Sequence, residues 1–223
     1  MRSTMAPGQN LPRRYYFWAA VPLVLLALFV LPADFRISLA LRNSDALPGD
    51  LRKAIQLSEV FAHSFGVAFI LLAISALDRR GWSNVARIAA CAYLPGLVAS
   101  AGKLLIARRR PTVANLDDSV LASFAGWIPV IRTDGFSEAF DHAMQSFPSG
   151  HTATAVGLAI GLSYAYPRGR YLFPLFAVLA GLQRVVAGAH FPSDVFAGAA
   201  VACLLAPLFA PRQPSALRQN QTS

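Results

Sequence analysis

The sequence predicts an all-α integral membrane protein, a bundle of six transmembrane helices, on three observations. Of its 223 residues, 55% are hydrophobic and 14% charged, against roughly a quarter charged in an ordinary soluble domain. Six apolar runs come near the length a helix needs to cross a bilayer, about 20 residues at ~1.5 Å rise each. The 20 Lys and Arg residues punctuate these runs instead of gathering on one polar face beside a soluble core. That distribution argues against a nucleic-acid partner and for membrane topology.

The first run, Tyr15 to Leu31, follows Arg13 and Arg14 and opens on Tyr15, Tyr16 and Trp18. Aromatic residues there form an interfacial belt, and no small-residue cleavage site follows Pro32, so the run reads as a retained span. Pro32 to Lys53 mixes apolar residues with Arg36, Arg42 and three aspartates, the composition of a helix lying in the interface. The second run, Ala54 to Leu77, carries Glu59 and His63 on one helix face, where they either pair to satisfy an intramembrane carboxylate or support the site or a lipid headgroup. Val85 to Ala107 is the third. An outer segment, 108 to 147, follows it and contains the apolar stretch Val120 to Ile131 with Trp127. So long a connection is either a loop resting in the interface or a lid that shapes the substrate site.

Thr152 to Tyr166, Tyr171 to Ala189 and Pro192 to Ala210 complete the six, and small residues such as Gly157, Gly161, Gly181 and Gly198 permit close helix packing. The membrane domain thus covers residues 15 to 210, between tails at 1 to 14 and 211 to 223. The connections Asp78 to Asn84 and Pro167 to Arg170 are short and basic, which places both termini and both tails in the cytoplasm. Cys91 and Cys203 lie inside apolar runs without CxxC spacing, so neither a disulfide framework nor a zinc site is expected.

Charge at the end of a span is costly and needs a reason. Three groups stand out: Lys103 with Arg110 and Pro111; Pro148, Ser149, Gly150 and His151; and Arg184, His190 and Asp194. With the N-terminus inside, all three fall at outer helix ends, so residues ninety positions apart converge on one membrane face. If the third helix persists, Lys103 and Arg110 share one side of it, two turns apart. Two guanidinium groups and an ammonium repel one another unless an anion bridges them, and arginine matches phosphate oxygens with a planar fork. Ser149 and Gly150 open a helix, where free N–H groups favour an anion. No carboxylate cluster suited to Mg²⁺ or Zn²⁺ accompanies them.

The histidines supply the chemistry such a cradle lacks. Asp194 lies four residues beyond His190 and can fold back to fix the imidazole tautomer, leaving the other nitrogen to attack phosphorus. His151, on a different helix and without an adjacent acid, suits a general acid toward the leaving oxygen. Arg108 and Arg109 read as residues snorkelling at a helix end or touching a second phosphate or acidic headgroup. His142 reads as solvated, and Trp82 and Trp127 as interfacial anchors.

In order, these three blocks resemble the tripartite signature of the type 2 phosphatidic acid phosphatase (PAP2) superfamily. The resemblance implies a metal-independent, cofactor-free lipid phosphatase. His190 would be phosphorylated, Asp194 would support it and His151 would protonate the leaving group, while Lys103, Arg110, Ser149, Gly150 and Arg184 bind phosphate. Gln183 departs from the pattern, standing where the family usually has serine. Candidate substrates implied are phosphatidic acid, phosphatidylglycerol phosphate, undecaprenyl pyrophosphate and a lipid A phosphate. The expected location is a bacterial inner membrane with the site on the periplasmic face. A lipid phosphotransferase using the same intermediate, or a non-catalytic binder or transporter of anionic lipid, fits the same residues.

Overall fold

The computed structural model describes residues 12–42, 47–78, 81–115, 118–127 and 141–209. Both tails, apart from a few residues at 12 to 14, and the part of the apolar stretch beyond Trp127 lie outside them. Helices form at each predicted run, with changes at their ends. α1 (Arg13–Val30) passes through a 3-10 turn at Leu31–Ala33 into α2 (Asp34–Arg42). Pro32 is tolerated because it sits in the first turn of that 3-10 segment, where its missing N–H costs no bond. Trp18, Leu25, Leu28 and Phe29 face outward, as apolar side chains do against lipid.

The second run is not one straight helix. α3 (Gly49–Leu57) and α4 (Ser64–Leu77) meet at a 69° bend around a 3-10 turn, Ser58–Phe61. The Glu59 carbonyl takes the N–H groups of both Ala62 and His63, at 2.9 and 2.8 Å. His63 then leaves helical geometry and caps α4, its Nδ1 accepting the Phe65 N–H at 3.4 Å.

α5 (Trp82–Gly102), α6 (Gly150–Ala165), α7 (Leu172–Val186) and α8 (Pro192–Phe209) make the bundle. α6 is buried almost throughout and packs against α5, α7 and α8. Gly157 allows this: a Cβ there would stand 2.0 Å from the Cys91 carbonyl oxygen of α5. At the predicted inner side, the Tyr166 hydroxyl and the Asn84 amide both donate to Asp78, at 2.6 and 2.9 Å. Among the described residues three helical stretches are long and apolar enough to cross a membrane, Arg13–Leu41, Trp82–Gly102 and Pro192–Phe209, and the bent pair, taken as one broken span, would be a fourth. α6 and α7, with 16 and 15 residues, are shorter.

The molecule is therefore mostly helical, with one addition to the all-α expectation. β1 (Ile106–Arg108) and β2 (Phe124–Trp127) form a small antiparallel ribbon within the long outer segment.

Candidate active site

The third span stops at Gly102, five residues before the predicted end, and Lys103 caps it. The expectation that Lys103 and Arg110 share a helix is thus corrected: the chain turns at Lys103 to Leu105 and is extended from Ile106. Extended backbone alternates its sides, so Arg109 is exposed while Arg108 is buried and Arg110 half-buried. The Arg110 N–H donates to the Ala143 carbonyl at 2.9 Å, and its Nη2 lies 3.4 Å from Nε2 of exposed His142. Its Nε is buried with no acceptor among the described residues. Burial, helped by the charge of Arg110 and opposed by Asp194, lowers the Lys103 pKa to about 8.

Ser149 caps α6, its hydroxyl accepting the Thr152 N–H at 3.3 Å. Its own N–H is already spent on the Asp194 carbonyl at 3.0 Å, so the expected backbone contact from Ser149 to an anion is lost. The first-turn N–H groups of Gly150 and His151 have no acceptor among the described residues. The His151 ring lies 6.0 Å from that of His63, and Arg184, His190 and Lys103 are its charged neighbours.

α7 ends because Gly188 adopts φ +67°, a left-handed conformation in which glycine is unstrained. The turn lets Ala189 and His190 donate their N–H groups to the Arg184 carbonyl, at 3.0 and 3.2 Å, and delivers the His190 ring into the interior. Its Nδ1 donates to the Ser146 carbonyl at 2.6 Å, whereas Asp194 Oδ2 stands 3.8 Å away. The expected direct Asp194–His190 hydrogen bond is therefore replaced, since 3.8 Å is beyond hydrogen-bond range. Ser146 mediates instead: its carbonyl holds His190 and its hydroxyl donates to Asp194 at 2.6 Å. A carbonyl can only accept, so the proton sits on Nδ1 and the Nε2 lone pair is free. Burial lowers the His190 pKa, which keeps that lone pair unprotonated at neutral pH.

Arg108 does not snorkel. It is 0% exposed and lies between the Phe124 and Phe191 rings. Its guanidinium donates to Asp194 at 2.5 Å, Asp34 at 2.7 Å, Ser193 at 2.7 Å and Ser123 at 3.1 Å. Asp34 also accepts the N–H and hydroxyl of Ser193, so the first helical rod is tied to the start of α8. This buried node was missed in sequence. Its one signal was Asp34 itself, an acid directly after a span that needed a partner.

Arg184 also has an unexpected partner. Its Nη2 pairs with Glu59 at 2.6 Å, and its Nε donates to the Gln183 amide oxygen, whose own NH₂ reaches Glu59 at 3.2 Å. The Glu59–His63 pairing expected from helical spacing is overturned, because the bend at Ser58–Phe61 takes the two off a common helix. The structure thus gathers Lys103, Arg110, Arg184, His190 and Asp194 at one end of the bundle, with His151 beside them. No cluster of His, Cys, Asp and Glu suited to a metal ion occurs among the described residues. An apolar cavity of about 970 Å³ lies along α7, lined by Tyr16, Val178, Gly181 and Phe196, and Lys103, Arg110 and Arg184 do not line it.

A helical bundle with cations, paired histidines and open helix N–H groups at one end defines a class of anion site, and the chain belongs to the PAP2 superfamily, whose sequence pattern matches residues 84–216. Lipid A 1-phosphatase from Rhizobium johnstonii is 38% identical over 105 residues, which is 47% of this chain and 38% of that protein. Undecaprenyl-diphosphatase BcrC from Bacillus subtilis is 33% identical over 64 residues, 29% of this chain and 33% of that protein. The matches thus span well under half the length of either relative. The crystal structure of a transmembrane PAP2 type phosphatidylglycerolphosphate phosphatase from Bacillus subtilis shares the fold, with a TM-score of 0.55 at 21% identity over 88% of this chain and 93% of that one.

Proposed function

We propose that the protein is an integral membrane lipid phosphatase that works without metal through a phosphohistidine on His190. The observation that carries this reading is the buried Nε of Arg110, which has no acceptor among the described residues. A buried donor without an acceptor costs about 1–3 kcal/mol, and a phosphate oxygen would relieve that cost. Lys103 and Arg184 supply further positive charge, and the Gly150 and His151 N–H groups take a further oxygen. His190 Nε2 attacks phosphorus, the P–O bond to the lipid breaks, and His151 gives its proton to the departing oxygen. Water then attacks the phosphohistidine, with His151 accepting its proton, and inorganic phosphate leaves. Positioning and charge neutralisation are what phosphoryl transfer chiefly requires.

The helices at all six runs support a six-span layout, and the short basic connections Asp78 to Asn84 and Pro167 to Arg170 support both termini inside, with the site at the outer face of a bacterial inner membrane. The names of the relatives support a lipid phosphate or diphosphate as substrate. Purified protein in detergent, assayed on a lipid panel with excess chelator, should release phosphate, and vanadate should inhibit it. Release that needs added metal, or that survives His190→Ala, would overturn the mechanism.

A further inference from the structure

We propose that Glu59 selects the leaving group, favouring lipids with a single phosphate on a neutral alcohol over lipid diphosphates. The inference rests on the phosphatase reading above, in which His151 protonates the departing oxygen. The side chain that adjoins His151 from outside the cradle is His63, 6.0 Å away between ring centroids. The α3–α4 bend therefore borders the leaving-group side of the site. That bend exposes Leu57, Val60, Phe65 and Phe69, a surface suited to lipid. Within it Glu59 is the acid that reaches the cradle, pairing with Arg184 at 2.6 Å while its side chain keeps 42% exposure.

Two consequences follow for the leaving group. Glu59 neutralises one of the three cations facing phosphate, so the site attracts a highly charged anion less than its arginines alone would. Its carboxylate, beside Arg184 and 42% exposed on the bend that borders that side, lies near the departing fragment in this reading. From a phosphomonoester that fragment leaves as a neutral alcohol once His151 has protonated the ester oxygen, and its hydroxyls can donate to a carboxylate. From a diphosphate the bridging oxygen leaves on a lipid phosphate, itself bearing about −1.5 to −2 charge at neutral pH, and like charges side by side are strongly disfavoured. Gln183 fits the same role, since its amide holds both Glu59 and Arg184 in register.

The test compares phosphatidic acid with diacylglycerol pyrophosphate of the same acyl chains, following initial release of the first phosphate in detergent. Wild-type protein should favour the monophosphate in kcat/KM by about tenfold or more. Glu59→Gln should shrink that ratio about tenfold by raising turnover of the diphosphate, and Glu59→Asp should retain the preference. Because the ratio is taken within one preparation, partial misfolding cancels. A wild-type protein that prefers the diphosphate or treats both alike overturns the proposal. So does an unchanged ratio in Glu59→Gln, or a loss of both activities in folded Glu59→Gln, which would make Glu59 only a holder of Arg184. Phosphate release from neither lipid by wild type would instead count against the phosphatase reading.

Discussion

Arg108 and Arg110 stand two residues apart on one side of an extended segment, yet their surroundings are opposite. Arg108 is saturated: two carboxylates, two hydroxyls and two aromatic rings enclose it. Arg110 keeps a buried Nε with no acceptor among the described residues. A guanidinium filled by protein carboxylates acts as a structural tie, whereas one with an unpartnered buried Nε is the kind of group the proposed phosphate site needs. Neighbouring positions in sequence therefore carry stability and chemistry separately.

The largest effect should come from breaking the tie. Arg108→Met leaves Asp34 and Asp194 buried without their cation, and losing one partner of a buried pair costs about 3–5 kcal/mol. We expect a large fall in thermal midpoint in detergent, or no folded protein, and partial rescue on adding Asp34→Asn. Arg110→Ala should do the reverse. We expect kcat/KM to fall about 10²–10³-fold, the scale for removing one donor to a transition-state anion, with the thermal midpoint nearly unchanged. Equal stability losses in the two variants would erase the contrast.

Ser146→Ala lies between the two regions. It keeps the backbone carbonyl that holds His190 but removes the hydroxyl on Asp194, so a stability loss of about 1–3 kcal/mol should accompany only a modest loss of turnover. The smallest effect concerns Lys103, whose pKa burial lowers to about 8. A lysine is cationic below its pKa, so the phosphate-facing charge is present at neutral pH and is lost as pH rises through about 8. The kcat/KM profile should fall on that alkaline side, and Lys103→Arg should flatten the fall.

Much of this was legible in sequence. Apolar runs place the helices because a bilayer rewards length and hydrophobicity directly, and Lys103, Arg110, Arg184, His190 and Asp194 stood out because charged or polar groups at the ends of apolar runs are costly. What was misread depended on conformation between those points. Reading Lys103 to Arg110 as helix hid the alternation that separates Arg108 from Arg109. Reading Ala54 to Leu77 as one straight span joined Glu59 to His63 and concealed its reach to Arg184.

The sequence by itself determined which residues are costly in an apolar chain, and therefore that its cations and histidines needed partners somewhere. Only the tertiary structure decided which cations are spent and which remain available. Arg108 is neutralised by Asp34 from 74 positions away, Arg184 is shared with Glu59 from another helix, and His190 takes its tautomer from the carbonyl of Ser146. Partner choice of that kind follows from distances between elements, and no local pattern of residues encodes it.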